Sequence, residues 1–373
     1  MDPVGADTQE FPDAAAVIDA VIAPDAELVD HAGVQRSAID ALAAAGLLGS
    51  PLAPAAQREL AELVSAADAS TWFCWVQHQS PLRTLARASS PGAEALRGRW
   101  LGGMESGRLL AAVAFAHLRR PGAPNPVASR TAGGWVLNGT LDWVTSWDIA
   151  DVVMIMARCD GDDAAKVISC FLPAGRSGVP IPGLEIGEPL SLLAMSGTHT
   201  RPLTLRDLFV PDASVAAVDD LGEWLAGDSL RTMDASPAAF GVTRGALREL
   251  SGLAVARGDA GIERVVERLA QQCREIRQAA YSLADRPSES NGAERLELRA
   301  ASLDLVVRAT TAVVIARAGA GVLSGTSAER RVREAMFLQI QAQTADSRRA
   351  GLRRIAGDEG DVEPVIRRQA TDG

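Results

Sequence analysis

The stretch Gly134-Trp135-Val136-Leu137-Asn138-Gly139-Thr140-Leu141-Asp142-Trp143-Val144-Thr145-Ser146 marks a change of texture in this 373-residue chain. Residues 134–139, 152–157 and 166–171 are short runs rich in Val, Ile, Met and aromatic residues, bounded by turn formers, and read as strands. Asn138-Gly139 is the dipeptide that suits a type I′ hairpin turn, where both central residues need positive φ. Just upstream, Arg119-Arg120-Pro121-Gly122-Ala123-Pro124-Asn125-Pro126 cannot sustain a helix, and downstream the strand pattern continues to about Val210-Pro211. Residues 119–218 are therefore expected to form a β domain.

On either side the apolar spacing is helical. Residues 35–46 carry Ala and Leu at a 3.6 period, with Gly46 as the stop, and further helices are expected over 55–64 and 78–87. After Asp219 the segments 231–257, 262–285, 292–318 and 329–355 read as a four-helix bundle. The expected organisation is mostly α with a central β domain: an N-terminal helical domain (1–118), a β-barrel-like middle domain (119–218), a C-terminal four-helix bundle (219–358) and a loose tail (359–373).

Composition narrows the function classes. Hydrophobic residues make up 47% and charged residues 23%, a globular balance, and no apolar run is read as approaching the ~18 to 20 residues of a membrane span. A net charge of −10 without a dense Lys/Arg block argues against nucleic acid and anionic membrane as partners and leaves a small molecule. Met1 to Asp7 carries acids and no basic stretch ahead of an apolar one, so a cytoplasmic protein is expected. Cys74, Cys159, Cys170 and Cys273 lack C-x-x-C spacing and read as reduced, buried thiols. The four histidines have no metal-ligand spacing, Asp160-Gly161-Asp162-Asp163 reads as a polar turn rather than a calcium loop, and no metal is expected. Gly319-Ala320-Gly321 lacks the preceding strand and following Lys-Ser/Thr of a phosphate loop, so it reads as a helix break.

The order helices, β domain, bundle resembles the acyl-CoA dehydrogenase superfamily, and local strings agree with it. Residues 134–146 are similar to that family's G-x-x-L-N-G-x-K-x-W-I-T-N, followed by Ala150-Asp151. Ser196-Gly197-Thr198-His199-Thr200 through Val210-Pro211 resembles the segment that closes its β domain. Gly319-Ala320-Gly321 and Arg333-Glu334-Ala335 stand where the family has its glycine-rich turn and R-D-A.

The resemblance implies a flavin, FAD in the first place, with FMN or a flavin-free form as alternatives. Trp143, Val144, Thr145 and Ser146 would form its shelf: a flat isoalloxazine needs an aromatic or apolar wall, and its N5 and pyrimidine edge need neutral donors. Trp143 supplies the wall, Thr145 a hydroxyl near N5, and Ser146 orders the loop. The same residues also read as a core aromatic and an ordinary strand threonine. Arg257, Gly319 and Gly321 would serve the dinucleotide, Arg257 standing in the family's R-x-Q-F-G, here Arg257-Gly258-Asp259-Ala260-Gly261, where Asp259 opposes a pyrophosphate.

Departures concern the chemistry. Taking an α-proton from an acyl thioester needs a carboxylate, yet the family's Y-E-G-T becomes Gln341-Ala342-Gln343-Thr344, with Ala342 at the base position. The alternative base position falls near Arg231, with Asp234 the closest acid. The family's T-E-P-x-A-G-S-D loop is replaced by residues 116–122. Flavin monooxygenases on this scaffold do without the glutamate, and Trp72-Phe73-Cys74-Trp75-Val76-Gln77-His78 resembles their Trp and His region, making His78 a donor or base near the flavin. The competing account of His78 is a histidine with a satisfied structural hydrogen bond. His117 and His199 fall near the expected active-site loops.

The leading expectation is a flavin-dependent oxidoreductase acting on a small organic or acyl-thioester substrate, as a homodimer or homotetramer. The alternatives are a monooxygenase or oxidase on the same scaffold, and a non-catalytic partner subunit in a hetero-oligomer.

Overall fold

The computed structural model describes residues 14–49, 53–120 and 126–357. The expectations for the first seven residues, for most of the Pro-rich break at 119–126 and for the tail at 359–373 fall outside them. The described chain divides into two units, 14–227 and 228–357, and passes from one to the other within a single helix.

The first unit opens with helices α1 (Ala14–Val21), α2 (Val29–Ala32), α3 (Arg36–Ala44), α4 (Pro54–Ala67), α5 (Ala69–Arg87), α6 (Ala93–Leu96) and α7 (Gly102–Glu105). Gly46 follows α3 at φ 74°, the stop its position predicts. Asp68 both ends α4 and starts α5, its carboxylate accepting the Thr71 N–H at 2.6 Å. That cap starts α5 nine residues before the expected 78. The spacing hid this turn because Ser70, Thr71, His78 and Gln79 are polar yet buried.

The strands are β1 (Ala111–Ala114), β2 (Val127–Thr131), β3 (Gly134–Val144), β4 (Val152–Cys159), β5 (Lys166–Pro173), β6 (Leu184–Ile186), β7 (Arg201–Pro211) and β8 (Val215–Asp220). They form one mixed sheet in the order β6-β7-β3-β2-β4-β5-β8, with β1 pairing β4 in parallel. β4 is buried along almost its whole length, as expected of a strand covered on both faces. Val153 and Ile155 join Trp135, Leu137, Leu141 and Val144 in one core, whereas Val152, Met154 and Met156 pack with Leu82 and Leu85 of α5 in another.

Two expectations are corrected here. Residues 111–114, read as part of the helical region, are a strand. All four are buried in a parallel ladder, and a run of three alanines and a valine has no polar face to betray its period. The expected boundary at 118 consequently lies inside the first unit. Asn138-Gly139 is not a hairpin turn either. It sits inside β3 at a shift of register against β7, where Gly139 takes φ 135°. The Asn138 amide replaces the missing ladder bonds, donating to Asp207 Oδ1 at 3.0 Å and accepting the Asp207 N–H at 2.8 Å.

The bundle contains α8 (Leu221–Thr232, shared with the first unit), α9 (Pro237–Arg257), α10 (Ala260–Ala284), α11 (Gly292–Arg317), α12 (Ser327–Leu338) and α13 (Ala345–Ala356). Phe240, Leu247, Leu250, Cys273, Leu305 and Val313 are among its core residues. The expected helix at 231–257 starts at Pro237, which suits a first helical position. The expected helix at 329–355 is two helices: Ala342 turns the chain at φ 52°, and Thr344 with Ser347 forms a capping box for α13. α11 with its following turn, Gly292–Val322, does reach the length and mean hydropathy (1.5) of a membrane span, contrary to the sequence reading. Its apolar residues Leu298, Leu305, Ala309 and Val313 are bundle core.

Candidate functional site

β3 ends at Val144, and the next two residues make a corner. Ser146 is fully buried at φ 66°, a region costly for any residue but glycine. Backbone bonds hold it there: its N–H donates to Thr198 O at 2.9 Å, Trp147 N–H donates to His199 O at 3.1 Å, and Ser146 O accepts from Ala150 N–H at 2.8 Å. The opposing loop carries left-handed Met195 and His199, and Gly197 lies so close to α2 that an added Cβ would sit 2.1 Å from Val29 O. Ser146 Oγ is buried and faces the Cys74 thiol.

Thr145 is 5% exposed and its Oγ1 lies 3.1 Å from Thr200 Oγ1, which lies 2.8 Å from Thr198 Oγ1. Trp143, in contrast, is 48% exposed. It shares a surface depression with Ala114, Ala116, His117, Arg120, Leu141 and Asp142, edged by the Arg120–Asp142 ion pair. An uncovered indole beside two alanines is an apolar wall that a flat ring can cover.

Charge fixes this corner from behind. Arg36 donates to Asp151 Oδ2 at 2.7 Å, to Ile149 O at 3.1 Å and to Arg108 O at 3.0 Å, and Arg176 donates to Asp151 Oδ1 at 2.6 Å. Burial would raise the Asp151 carboxyl, but the Leu110 N–H and the two guanidiniums outweigh it and hold it below the usual carboxylate value. Sequence reading noted Asp151 by its spacing and missed Arg36, because an arginine opening an amphipathic helix gives no sign that it turns inward.

His78 is placed differently from the expected donor or base. Its ring is fully buried, Nδ1 accepts the Ala111 N–H at 3.0 Å, and Nε2 lies 3.1 Å from Met104 O. An Nδ1 that accepts carries no proton, so the proton is on Nε2 and is donated to Met104 O. Both nitrogens are thus committed to backbone, and the ring pins α5 to β1 with none left for a ligand. Burial pushes its pKa down to about 4. His117 bonds Met156 O at 2.8 Å, and burial likewise takes it to about 4. His199 reaches Val34 O at 3.0 Å. All four cysteines are free and buried; burial raises Cys74 and Cys170 to about 12 and Cys159 to about 11, so none of these three is a ready nucleophile. Among the described residues no group of three or more His, Cys, Asp and Glu could hold a metal ion.

In the bundle unit, Arg257 and the glycine turn come together. The exposed Arg257 guanidinium donates to Ala316 O in the last turn of α11, directly ahead of the turn Ala318–Val322. Gly321 is demanded by packing, since a Cβ would sit 2.6 Å from Val314 O, whereas Gly319 faces open space. Asp259 is the N-cap of α10, accepting from Gly261 N–H at 2.8 Å and Ile262 N–H at 3.2 Å, so its charge is already engaged by a helix start.

The two expected base positions are joined by arginines of α11. Arg295, 2% exposed, donates to Asp234 Oδ1 at 2.8 Å and to Leu230 O at 2.6 Å. Arg299 donates to Asp234 O at 3.0 Å and to Gln341 O at 2.7 Å. Ala342 therefore adjoins a clamped carbonyl and offers only a methyl group, while Asp234 is ion-paired with Arg295 and buried Asp228 lies 3.7 Å from Arg231. Nothing in the spacing of α11 flagged these arginines, since basic residues on a long helix normally face solvent.

No family model matches the chain. It is 26% identical over 249 residues to the human mitochondrial short-chain specific acyl-CoA dehydrogenase, a match covering 61% of this chain and 57% of that enzyme's length. Its fold matches butyryl-CoA dehydrogenase from Megasphaera elsdenii with a TM-score of 0.75 at 17% identity, covering 94% of this chain and 98% of that one. It matches a glutaryl-CoA dehydrogenase from Mycobacterium smegmatis, solved in complex with FADH2, with a TM-score of 0.75 at 16% identity and 96% coverage of both. The run of helices, mixed sheet and helical bundle is thus the fold of these acyl-CoA dehydrogenases, and the sequence is similar to theirs over 61% of its length.

Proposed function

We propose that the chain is a FAD-dependent oxidoreductase that takes an acyl thioester. The observation that carries this reading is the β3 corner: an uncovered Trp143 beside small residues, then the buried hydroxyls of Thr145 and Ser146, the latter held at positive φ by backbone bonds. These residues fit a flavin, and the buried hydroxyls of Thr145 and Ser146 make the corner polar where Trp143 makes it apolar. Trp143 and Val144 would flank the ring, and Thr145 and Ser146 would address its polar edge. Arg257, Gly319 and Gly321 would meet the dinucleotide of a second copy, which makes a homo-oligomer part of the reading. FAD, when bound, would supply the acceptor for two electrons from the substrate. The chain's residues orient the ring, exclude water behind it and fix the hydroxyl next to it.

A second reading has its own observation. Neither expected base position offers an unpaired carboxylate: one is Ala342, and Asp234 is ion-paired with Arg295. This favours an oxidase or monooxygenase, for which a dry pocket matters more than a carbon-acid base.

Purified protein reconstituted with FAD or FMN and mixed anaerobically with acyl-CoAs separates the readings. Retention of FAD with thioester-dependent bleaching supports the first. Retained flavin that no thioester bleaches, but whose reduced form consumes oxygen with a substrate, supports the second. A protein that takes up neither flavin refutes both and leaves a partner-subunit role. Ala342→Glu should speed bleaching by at least tenfold if position 342 faces the substrate; no gain means the carboxylate position is not equivalent.

A further inference from the structure

The three buried threonines behind the corner have a forced proton order. Thr198 Oγ1 donates to the Met195 carbonyl at 2.7 Å, and a carbonyl can only accept. A hydroxyl has one proton, so in the 2.8 Å contact between Thr198 and Thr200 the donor is Thr200. The Thr200 proton being spent, the donor in the 3.1 Å contact between Thr145 and Thr200 is Thr145. Protons therefore point inward along Thr145, Thr200, Thr198 and the Met195 carbonyl. Residue exposures of 5%, 5% and 1% along the three leave little room for water to reorder the line. Any group that meets Thr145 Oγ1 from another side therefore finds lone pairs and no proton. Sequence reading gave Thr145 the part of a donor; the proton count reverses it.

We propose that Thr200 and Thr198 are positioning residues that make Thr145 an acceptor-only hydroxyl, so that the corner prefers a flavin carrying N–H at the facing nitrogen, the reduced form, over the oxidised form. This rests on the flavin reading above. Oxidised flavin has a bare nitrogen at N5 and reduced flavin an N–H there. An acceptor gains a hydrogen bond with the second and meets a lone pair in the first. The bias raises the midpoint potential of bound FAD without any charged group.

The test is the midpoint potential of FAD bound to the full-length protein, titrated anaerobically with dithionite against a reference dye. Thr200→Val removes the central hydroxyl at nearly constant shape and frees the Thr145 proton to turn outward. The preference for reduced over oxidised FAD should fall about tenfold, a potential lower by ~30 mV for a two-electron couple. Thr200→Ser keeps a hydroxyl and should keep the wild-type potential. Thr198→Val acts one link further back and should shift the potential the same way, which keeps the proposal testable if Thr200→Val does not fold. An unchanged potential in a folded valine variant overturns the proposal, as does an equal loss of affinity for both forms. Failure of the flavin reading looks different, since then wild type and variants alike retain no FAD.

Discussion

Ser146 and Ala342 adopt the same left-handed backbone, φ 66° and 52°, in two very different settings. Ser146 is fully buried, and bonds from Thr198, Ile149 and Ala150 over-determine its conformation. Ala342 is half-buried in a turn whose order comes from its neighbours: Arg299 on Gln341 O, and Gln343 N–H on Ile340 O. The first is strain enforced by a scaffold around the corner proposed to hold the flavin. The second is strain in a turn that carries only a methyl group at that position. Local conformation thus says little about retained chemistry, whereas the number of independent constraints says much more.

Acid is the strongest way to pull the two regions apart. All four histidines lie in the first unit and none in residues 228–357. His78 and His117 titrate near 6.5 when unfolded and about 4 when folded, so the unfolded chain binds more protons between these values. Stability should fall as pH drops from about 6.5 to 4, by up to about 3 kcal/mol per histidine. Asp151 has the depressed-carboxylate sign: its contribution is present above 3.8 and is lost as pH falls below that. All seven tryptophans also lie in the first unit and the single tyrosine, Tyr281, in the bundle. Urea midpoints followed by tryptophan emission should move in this window; if they do not, the histidines are not buried neutral.

Substitutions sharpen the contrast further. Ser146→Val puts a β-branched residue at positive φ in a filled space and should cost about 3 kcal/mol, against about 1 or less for Ser146→Gly. Equal costs in urea denaturation would mean that the corner is not constrained as described. Gly321→Ala meets Val314 O and should lower bundle stability by about 2 kcal/mol, with Gly319→Ala, facing open space, as the control. Ala342→Gly should have the smallest effect and the opposite sign, a gain of about 1 kcal/mol from relieved strain. A loss by circular dichroism melting would show that the methyl group packs.

The contrast also explains what could be read from the sequence. β3 through β5 and the bundle segments follow apolar periods that burial alone selects, so they were legible. β1 was not, because Ala111 to Ala114 has no polar alternation to reveal a strand. Asn138-Gly139 misled because its turn chemistry serves a bulge that only the partner residue Asp207 explains. The turn between α12 and α13 was hidden in a run that keeps helical spacing across it. At the candidate site the aromatic and hydroxyl were recognisable by type. The direction of the threonine protons, and the two backbone bonds of His78, depend on residues tens of positions away.

The break between α12 and α13 has one more consequence. α13 starts from its own Thr344–Ser347 box, and α12 closes on its own carbonyls at Gln339. α12 is finished with help from the turn, since the Ile340 and Gln341 N–H groups donate to Phe337 O and Gln343 Nε2 donates to Gln339 O, whereas α13 starts on its own box. The turn is bound to α12 largely through its backbone, so its outward side chains can be exchanged, whereas a change of length would disturb that helix end. Position 342, whose methyl group makes no hydrogen bond, is thus a place where one side chain can be replaced without remaking the helix on either side.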